Sequence, residues 1–270
     1  MKIQPGRFAS RRAVVTGASA GIGRAAALRL AAEGACVGLV ARRREPLEEL
    51  ARATGGASVI TADLASPDDC ARIGEEAARA LGTIDVVLFT AAIARLRTLR
   101  ELTHEDWIQT VATNLVGTNL AISALVPHLA HRGVVSVMSS EAAGQPFYAL
   151  GSYAATKSAV EDTMRAWRIE HPDARFVTMV VGTTVPTEFA NNFDAAEMAA
   201  AFPIWAAQGK AASEYMRVDE VADVVVGLFG TLLPNPTVGM ETVFLRSPAP
   251  LTGSTDTMTA TAESTGHGTG

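Results

Sequence analysis

The chain has 270 residues, 48% of them hydrophobic and 19% charged, with a formal net charge of -5. That is apolar material for one sizeable core, and the mild acidity points away from a charge-driven partnership with nucleic acid or an anionic membrane. Two cysteines, Cys36 and Cys70, make no disulfide framework, so a reducing compartment, the cytoplasm, is expected.

The N-terminal MKIQPGRFASRR carries basic residues with no apolar stretch behind them, so it does not read as a secretory signal. Residues 13–16 form a short apolar strand that runs into glycines, and a helix is predicted over 21–33. Arg24, Arg29 and Glu33 interrupt that alanine-rich helix. No apolar run reads as membrane-spanning, and no membrane partner is expected. A strand at 36–41, a charged helix at 44–53 and a strand at 57–61 follow. Ser66 suits the N-cap of a helix over 67–81, and 84–90 is a fourth strand. Thr103 and Asp106 resemble a capping box opening one long helix to about residue 131. A strand at 133–139, a helix at 152–169, a strand at 175–181, a helix at 218–232 and a short strand at 241–245 complete the series.

Continuously apolar strands alternating with helices predict a Rossmann-type α/β fold. It is a doubly wound parallel sheet of about seven strands with helices on both faces, three layers in all. Residues 1–250 read as one domain. Residues 251–270, rich in Thr, Gly and Ser, are expected to be a disordered tail.

Thr16 to Gly23, TGASAGIG, joins the first strand to the first helix. Glycines permit a tight turn, so the amides of Gly17, Ser19, Gly21, Ile22 and Gly23 are candidates to meet a pyrophosphate at the helix N-terminus. A dinucleotide binder selective for NAD usually places a carboxylate at the end of the second strand. Here Ala41 is followed by Arg42, Arg43 and Arg44, which suits a 2′-phosphate, so NADP(H) is expected ahead of NAD(H). Asp63 and Leu64, after the third strand, are placed to meet the adenine; Asp63 reads equally well as a loop carboxylate. Tyr153 and Lys157 stand at i and i+4, on one face of a helix. A phenol beside an ammonium can protonate a carbonyl oxygen while hydride arrives from elsewhere.

Taken together, TGxxxGIG, Asn114, Ser140 and the Tyr153/Lys157 pair resemble the short-chain dehydrogenase/reductase family, in its single-domain branch, over about residues 11–248. The resemblance implies a tetrad. Tyr153 would be the general acid or base, its pKa lowered by Lys157 and the oxidised nicotinamide. Lys157 would also bind the nicotinamide ribose, Ser140 would hydrogen-bond the substrate oxygen, and Asn114 would hold a relay water. Ser139 would cap the chain or face the cofactor. Ala91 would lie along the cofactor and Thr187 would contact its carboxamide. Two departures from the family pattern are Phe89-Thr90-Ala91-Ala92 after the fourth strand and Gly182-Thr183 after the sixth.

Residues 188–216 stand where the family keeps its substrate lid. Phe147, Phe189 and Trp205, with Ser140 and Tyr153, are expected to line a pocket for a fairly apolar small molecule. Met198, Phe202 and Trp205 share a helical face that either packs on the core or closes the pocket. Arg95 and Arg97 read mainly as solvated loop residues. The five histidines show no metal spacing, and no metal is expected. The family usually forms homodimers or homotetramers by pairing the helices at 105–131 and 152–169. The leading expectation is an NADP(H)-dependent carbonyl/alcohol oxidoreductase. The alternative is a catalytically silent NADP-binding regulatory or scaffold protein of the same fold.

Overall fold

A computed structural model describes residues 6–211 and 213–248. The stretch read as a disordered tail lies outside the described residues.

In chain order the elements are β1 (Arg12–Thr16), α1 (Gly21–Ala32), β2 (Cys36–Ala41), α2 (Arg44–Ala53), β3 (Ser58–Thr61), α3 (Pro67–Leu81) and β4 (Ile84–Phe89). Then come α4 (His104–Val111), α5 (Thr118–Leu125), β5 (Leu129–Ser140), α6 (Glu141–Gly144), α7 (Gly151–Glu170) and β6 (Arg175–Val181). Last are β7 (Thr184–Val185), α8 (Ala195–Ala207), β8 (Met216–Arg217), α9 (Val218–Leu232) and β9 (Thr242–Leu245).

Seven strands form one parallel sheet in the order β3-β2-β1-β4-β5-β6-β9. Val14 and Val15 point to opposite faces, and each meets a covered core. On one face Leu30, Leu47, Leu50, Val225 and Phe229 from α1, α2 and α9 pack on Val15, Leu39 and Met179. On the other, Ile73, Ile122, Leu125, Val160 and Met164 from α3, α5 and α7 pack on Val14, Val87 and Phe176. Burial from both sides explains why β4 and β6 are mostly apolar, with every residue buried, rather than alternating. The chain leaves β3 and returns at β4, on the other side of β1. That reversal opens a crevice above the carboxyl ends of β1 and β4.

The single long helix expected up to residue 131 is instead broken. After α4 comes a π turn at Ala112–Gly117, then α5, then a 3₁₀ turn at Val126–His128 containing Pro127, and β5 begins at Leu129. The π turn presses against the loop after β3: a Cβ on Gly117 would stand 1.9 Å from the Leu64 carbonyl oxygen. Pro127 ends the run. The Thr103–Asp106 capping box is present in both directions. The composite run His104–His128 corrects a second expectation, because it is long and apolar enough to cross a membrane by composition. Its Ala121, Ile122 and Leu125 are buried against the sheet, as expected of a core helix.

Candidate active site

A cleft of about 970 Å³ occupies the crevice at the strand reversal. It is large enough for a dinucleotide with a small partner. The glycine turn, Arg42, Arg43, Asp63, Leu64, Ala91 and Thr187 line it, as do Ser140, Phe147, Tyr153, Lys157, Phe189 and Trp205, whereas Arg44 and Asn114 do not.

At one end lie Gly17, Ser19, Gly21, Ile22 and Gly23. Helix α1 starts here with Ala20 at its N-cap, no side-chain cap and no acidic residue in its first turn. Its first amides and the positive end of its dipole are therefore offered to an anion. Gly17 and Gly23 are required by packing: a Cβ on Gly17 would lie 2.6 Å from the Ala91 nitrogen, and one on Gly23 2.4 Å from Thr90 Oγ1. The Thr90 hydroxyl donates to the Thr16 carbonyl at 2.7 Å and ties the ends of β1 and β4 together. The first departure from the family pattern therefore keeps a hydrogen bond at this junction, with Ala91 facing the cleft. At the second departure, Gly182 makes room for Glu141: a Cβ would stand 2.8 Å from Glu141 Oε2, and Glu141 pairs with Arg246 at 2.7 Å.

Arg42 and Arg43 face the cleft where β2 ends. Arg42 is exposed, and no hydrogen bond or ion pair engages it among the described residues. Arg43 is engaged, donating to Ser19 Oγ at 3.3 Å and to the Glu188 carboxylate at 2.5 Å, across the mouth of the cleft. Asp63 accepts from the Ala65 amide at 2.9 Å, so part of its acceptor capacity shapes its own loop; Leu64 lies beside it in the wall. Thr187 faces Gly21 across the cleft, 3.8 Å from where a Cβ would be.

At the other end, Ser140 closes β5 while Tyr153 and Lys157 project from α7. Tyr153 is 8% exposed and Lys157 4%. Burial pushes the Tyr153 phenol up to about 12, against a hydrogen bond with the Ser140 side chain that pulls it down. The family resemblance implies a phenol lowered by Lys157 together with the oxidised nicotinamide; without that charge burial dominates, and the phenol keeps its proton at neutral pH. Burial also pushes Lys157 down to about 8, opposed by the charge of Glu161. The ammonium donates to the Met138 carbonyl at 2.7 Å and lies 5.7 Å from the Tyr153 ring centre.

Asn114, in the π turn, is 1% exposed. Its side chain accepts from the Ile93 amide at 2.8 Å, donates to the Ile93 carbonyl at 2.8 Å and donates to Thr156 Oγ1 at 3.1 Å. Those contacts fasten the loop after β4 to α7 and commit the amide to scaffolding. Ser140 caps α6, accepting from the Ala142 amide at 3.2 Å, whereas Ser139 donates to Glu161 at 2.5 Å. No sequence motif marks Glu161 for this contact, although it stands four residues beyond Lys157.

The lid segment covers this end. Phe189 packs on Tyr153 with ring centres 5.0 Å apart, and Phe147 meets Trp205 edge-on at 5.6 Å. Met198 and Trp205 pack inward, while Phe202 is exposed at the rim. The indole of Trp205 donates to the Tyr148 carbonyl at 2.9 Å, and Lys210 donates to the carbonyls of Gln145 and Pro146 at 2.7 and 2.9 Å. Arg95 and Arg97 are not free loop residues: they pair with Asp106 at 3.3 and 2.9 Å. No cluster of three metal-ligating side chains occurs among the described residues.

A family model described as short chain dehydrogenase matches residues 11–198. 11-beta-hydroxysteroid dehydrogenase 1A of Arabidopsis thaliana is 33% identical over 184 residues, 65% of this chain and 52% of that protein. The chain thus spans about half the length of that relative. A short chain dehydrogenase from Burkholderia cenocepacia J2315, solved in complex with NADP, superposes with a TM-score of 0.77. It is 26% identical, and the match covers 89% of this chain and 98% of the other. An alcohol dehydrogenase from Thermococcus sibiricus, complexed with 5-hydroxy-NADP, gives 0.74 at 27% identity, over 88% of this chain and 97% of its own.

Proposed function

The chain belongs to the short-chain dehydrogenase/reductase family, and from that premise we propose that it interconverts a ketone or aldehyde and an alcohol with NADP(H). One observation carries this reading. A single cleft links an uncapped helix N-terminus and an unengaged Arg42 to buried Tyr153, Ser140 and Lys157.

The cofactor, when bound, supplies or accepts the hydride. Gly17, Ser19, Gly21, Ile22 and Gly23 would hold its pyrophosphate, Arg42 and Arg43 its 2′-phosphate, and Asp63 and Leu64 its adenine end. Ala91 and Thr187 would flank the nicotinamide half. In reduction Tyr153 gives its phenol proton to the carbonyl oxygen, and burial keeps that proton in place beforehand. Ser140 hydrogen-bonds the same oxygen as charge develops on it. Lys157, as an ammonium, balances the phenolate left behind. Asn114 acts through the scaffold it fastens. In alcohol oxidation the proton movements run in reverse.

The aromatic walls made by Phe147, Phe189 and Trp205 favour a fairly apolar substrate and exclude water once the lid is down. Residues 1–250 form one domain in this reading. Exposed Ile108, Val116 and Leu120 on the α4–α5 run, with Ile169 on α7, support a homodimer or homotetramer. A panel of carbonyls and alcohols assayed with NADPH, NADP⁺, NADH and NAD⁺ tests the proposal. Turnover of one carbonyl/alcohol pair with preference for the phosphorylated cofactor is expected. Tight NADPH binding with no turnover across the panel would instead favour the silent scaffold.

A further inference from the structure

Three successive turns of α7 dock on three consecutive residues at the end of β5. Tyr153 meets Ser140, Lys157 donates to the Met138 carbonyl at 2.7 Å, and Glu161 accepts from the Ser139 hydroxyl at 2.5 Å. Positions i, i+4 and i+8 keep the three side chains on one helical face. The first two belong to the reaction proposed above, and the third has no role in it so far.

Glu161 differs from the surface carboxylates of the same helix. Asp162 pairs with Arg165 and faces solvent. Glu161 is half-buried, fixed to the strand end by Ser139, and makes no salt bridge to an arginine or lysine among the described residues. Its charge is therefore left to act on the lysine one turn away.

Resting on the carbonyl/alcohol reading, we propose that Glu161 is a positioning residue for that reaction: its carboxylate, tethered by Ser139, holds Lys157 as an ammonium at the end of β5. Burial favours loss of the Lys157 proton, and the Glu161 carboxylate is the charge that opposes it. Other titratable groups on the surrounding elements are committed elsewhere. Tyr153, on α7 itself, is a neutral phenol. Glu141 of α6 is held by Arg246 at 2.7 Å. Asp106 of α4 is held by Arg95 and Arg97, and His104 and Glu105 occupy the first turn of that helix. Beside Lys157, β5 and the π turn bring only neutral Met138, Ser139, Thr113 and Asn114. Arg175 of β6 sits at the opposite end of its strand, on the Arg132 carbonyl. Helix α5 carries no titratable side chain.

The sign follows. Lys157 is charged below about 8, so reductive turnover falls as pH rises through that region. Removing the Glu161 charge removes the opposition to burial, and the basic limb of the profile moves to lower pH.

The experiment compares kcat–pH profiles of the full chain for wild type, Glu161→Gln and Ser139→Ala. It uses NADPH and the panel carbonyl that wild type reduces fastest. For Glu161→Gln the limb should fall by about half a unit or more, an extra loss of roughly threefold at pH values above it. Ser139→Ala keeps the carboxylate but unties it, and should shift the limb the same way by less. Profiles that superpose on wild type, even with uniformly lower rates, would reduce Glu161 to a structural fastener and overturn the inference. If Glu161→Gln does not fold, the Ser139→Ala profile decides by the same comparison. A wild type that reduces no carbonyl overturns the underlying reaction instead, and the two failures are thereby distinguished.

Discussion

Replacing Arg42 with alanine should weaken NADPH binding about tenfold and leave NADH binding unchanged. Arg42 lies just after β2, faces the cleft, and has no hydrogen bond or ion pair to give up among the described residues. A charge-assisted hydrogen bond from such a guanidinium to a phosphate contributes about 1.5–3 kcal/mol. Exposure and salt screening favour the lower end, about 1.5 kcal/mol, which is a little over a factor of ten in Kd. Arg43 supplies an internal control. It is already paired with Glu188 and touches Ser19, so a phosphate contact there is offset by the pair it displaces. Arg43→Ala should therefore cost less, roughly two- to threefold. Fluorescence titration of each variant with NADPH and NADH at fixed ionic strength reads both effects without requiring turnover. An equal loss for the two cofactors, or no loss for either, would refute the assignment of the 2′-phosphate to Arg42.

Two further predictions concern the scaffold. Glu33 is fully buried and joins Arg7 to Arg29, which also reaches Asp223 at 2.8 Å. Glu33→Ala leaves Arg7 without its carboxylate and should cost about 3 kcal/mol, read as a lower urea midpoint at unchanged slope; a loss under about 1 kcal/mol contradicts that. Cys36 is exposed, whereas Cys70 is buried with its thiol pushed up to about 11. Iodoacetamide at mildly alkaline pH should modify Cys36 alone in the native chain and both thiols after denaturation, as mass spectrometry of the peptides would reveal.

The sheet was legible in the sequence because its strands are buried on both faces: Ile84–Phe89 and Arg175–Val181 stand out as short runs between helical stretches. The helical run after Thr103 was misread because hydrophobic period alone does not register a π turn. Only the close approach of Gly117 to Leu64 reveals why the helix widens there. The start of β5 was placed late because Leu129 pairs with Ile84 ahead of an irregularity, and regular pairing resumes only at Val134. The cleft-lining residues were legible as local motifs with fixed spacing. What escaped were pairings set by the tertiary fold, such as Arg43 with Glu188 and Lys210 with the carbonyls of Gln145 and Pro146. Charge balance was equally hidden: the direction of the Tyr153 shift depends on burial, which no motif encodes.

The most direct measurement of the central claim is NADPH-dependent carbonyl reduction by Tyr153→Phe, alongside its affinity for NADPH. The substitution removes one hydroxyl at the base of the cleft and leaves the glycine turn and Arg42 untouched. Loss of the proton donor should lower kcat by about 10²–10⁴-fold while the NADPH Kd stays within about twofold of wild type. Turnover within about tenfold of wild type, in a variant that binds NADPH normally, would contradict the assignment of Tyr153 as the proton donor.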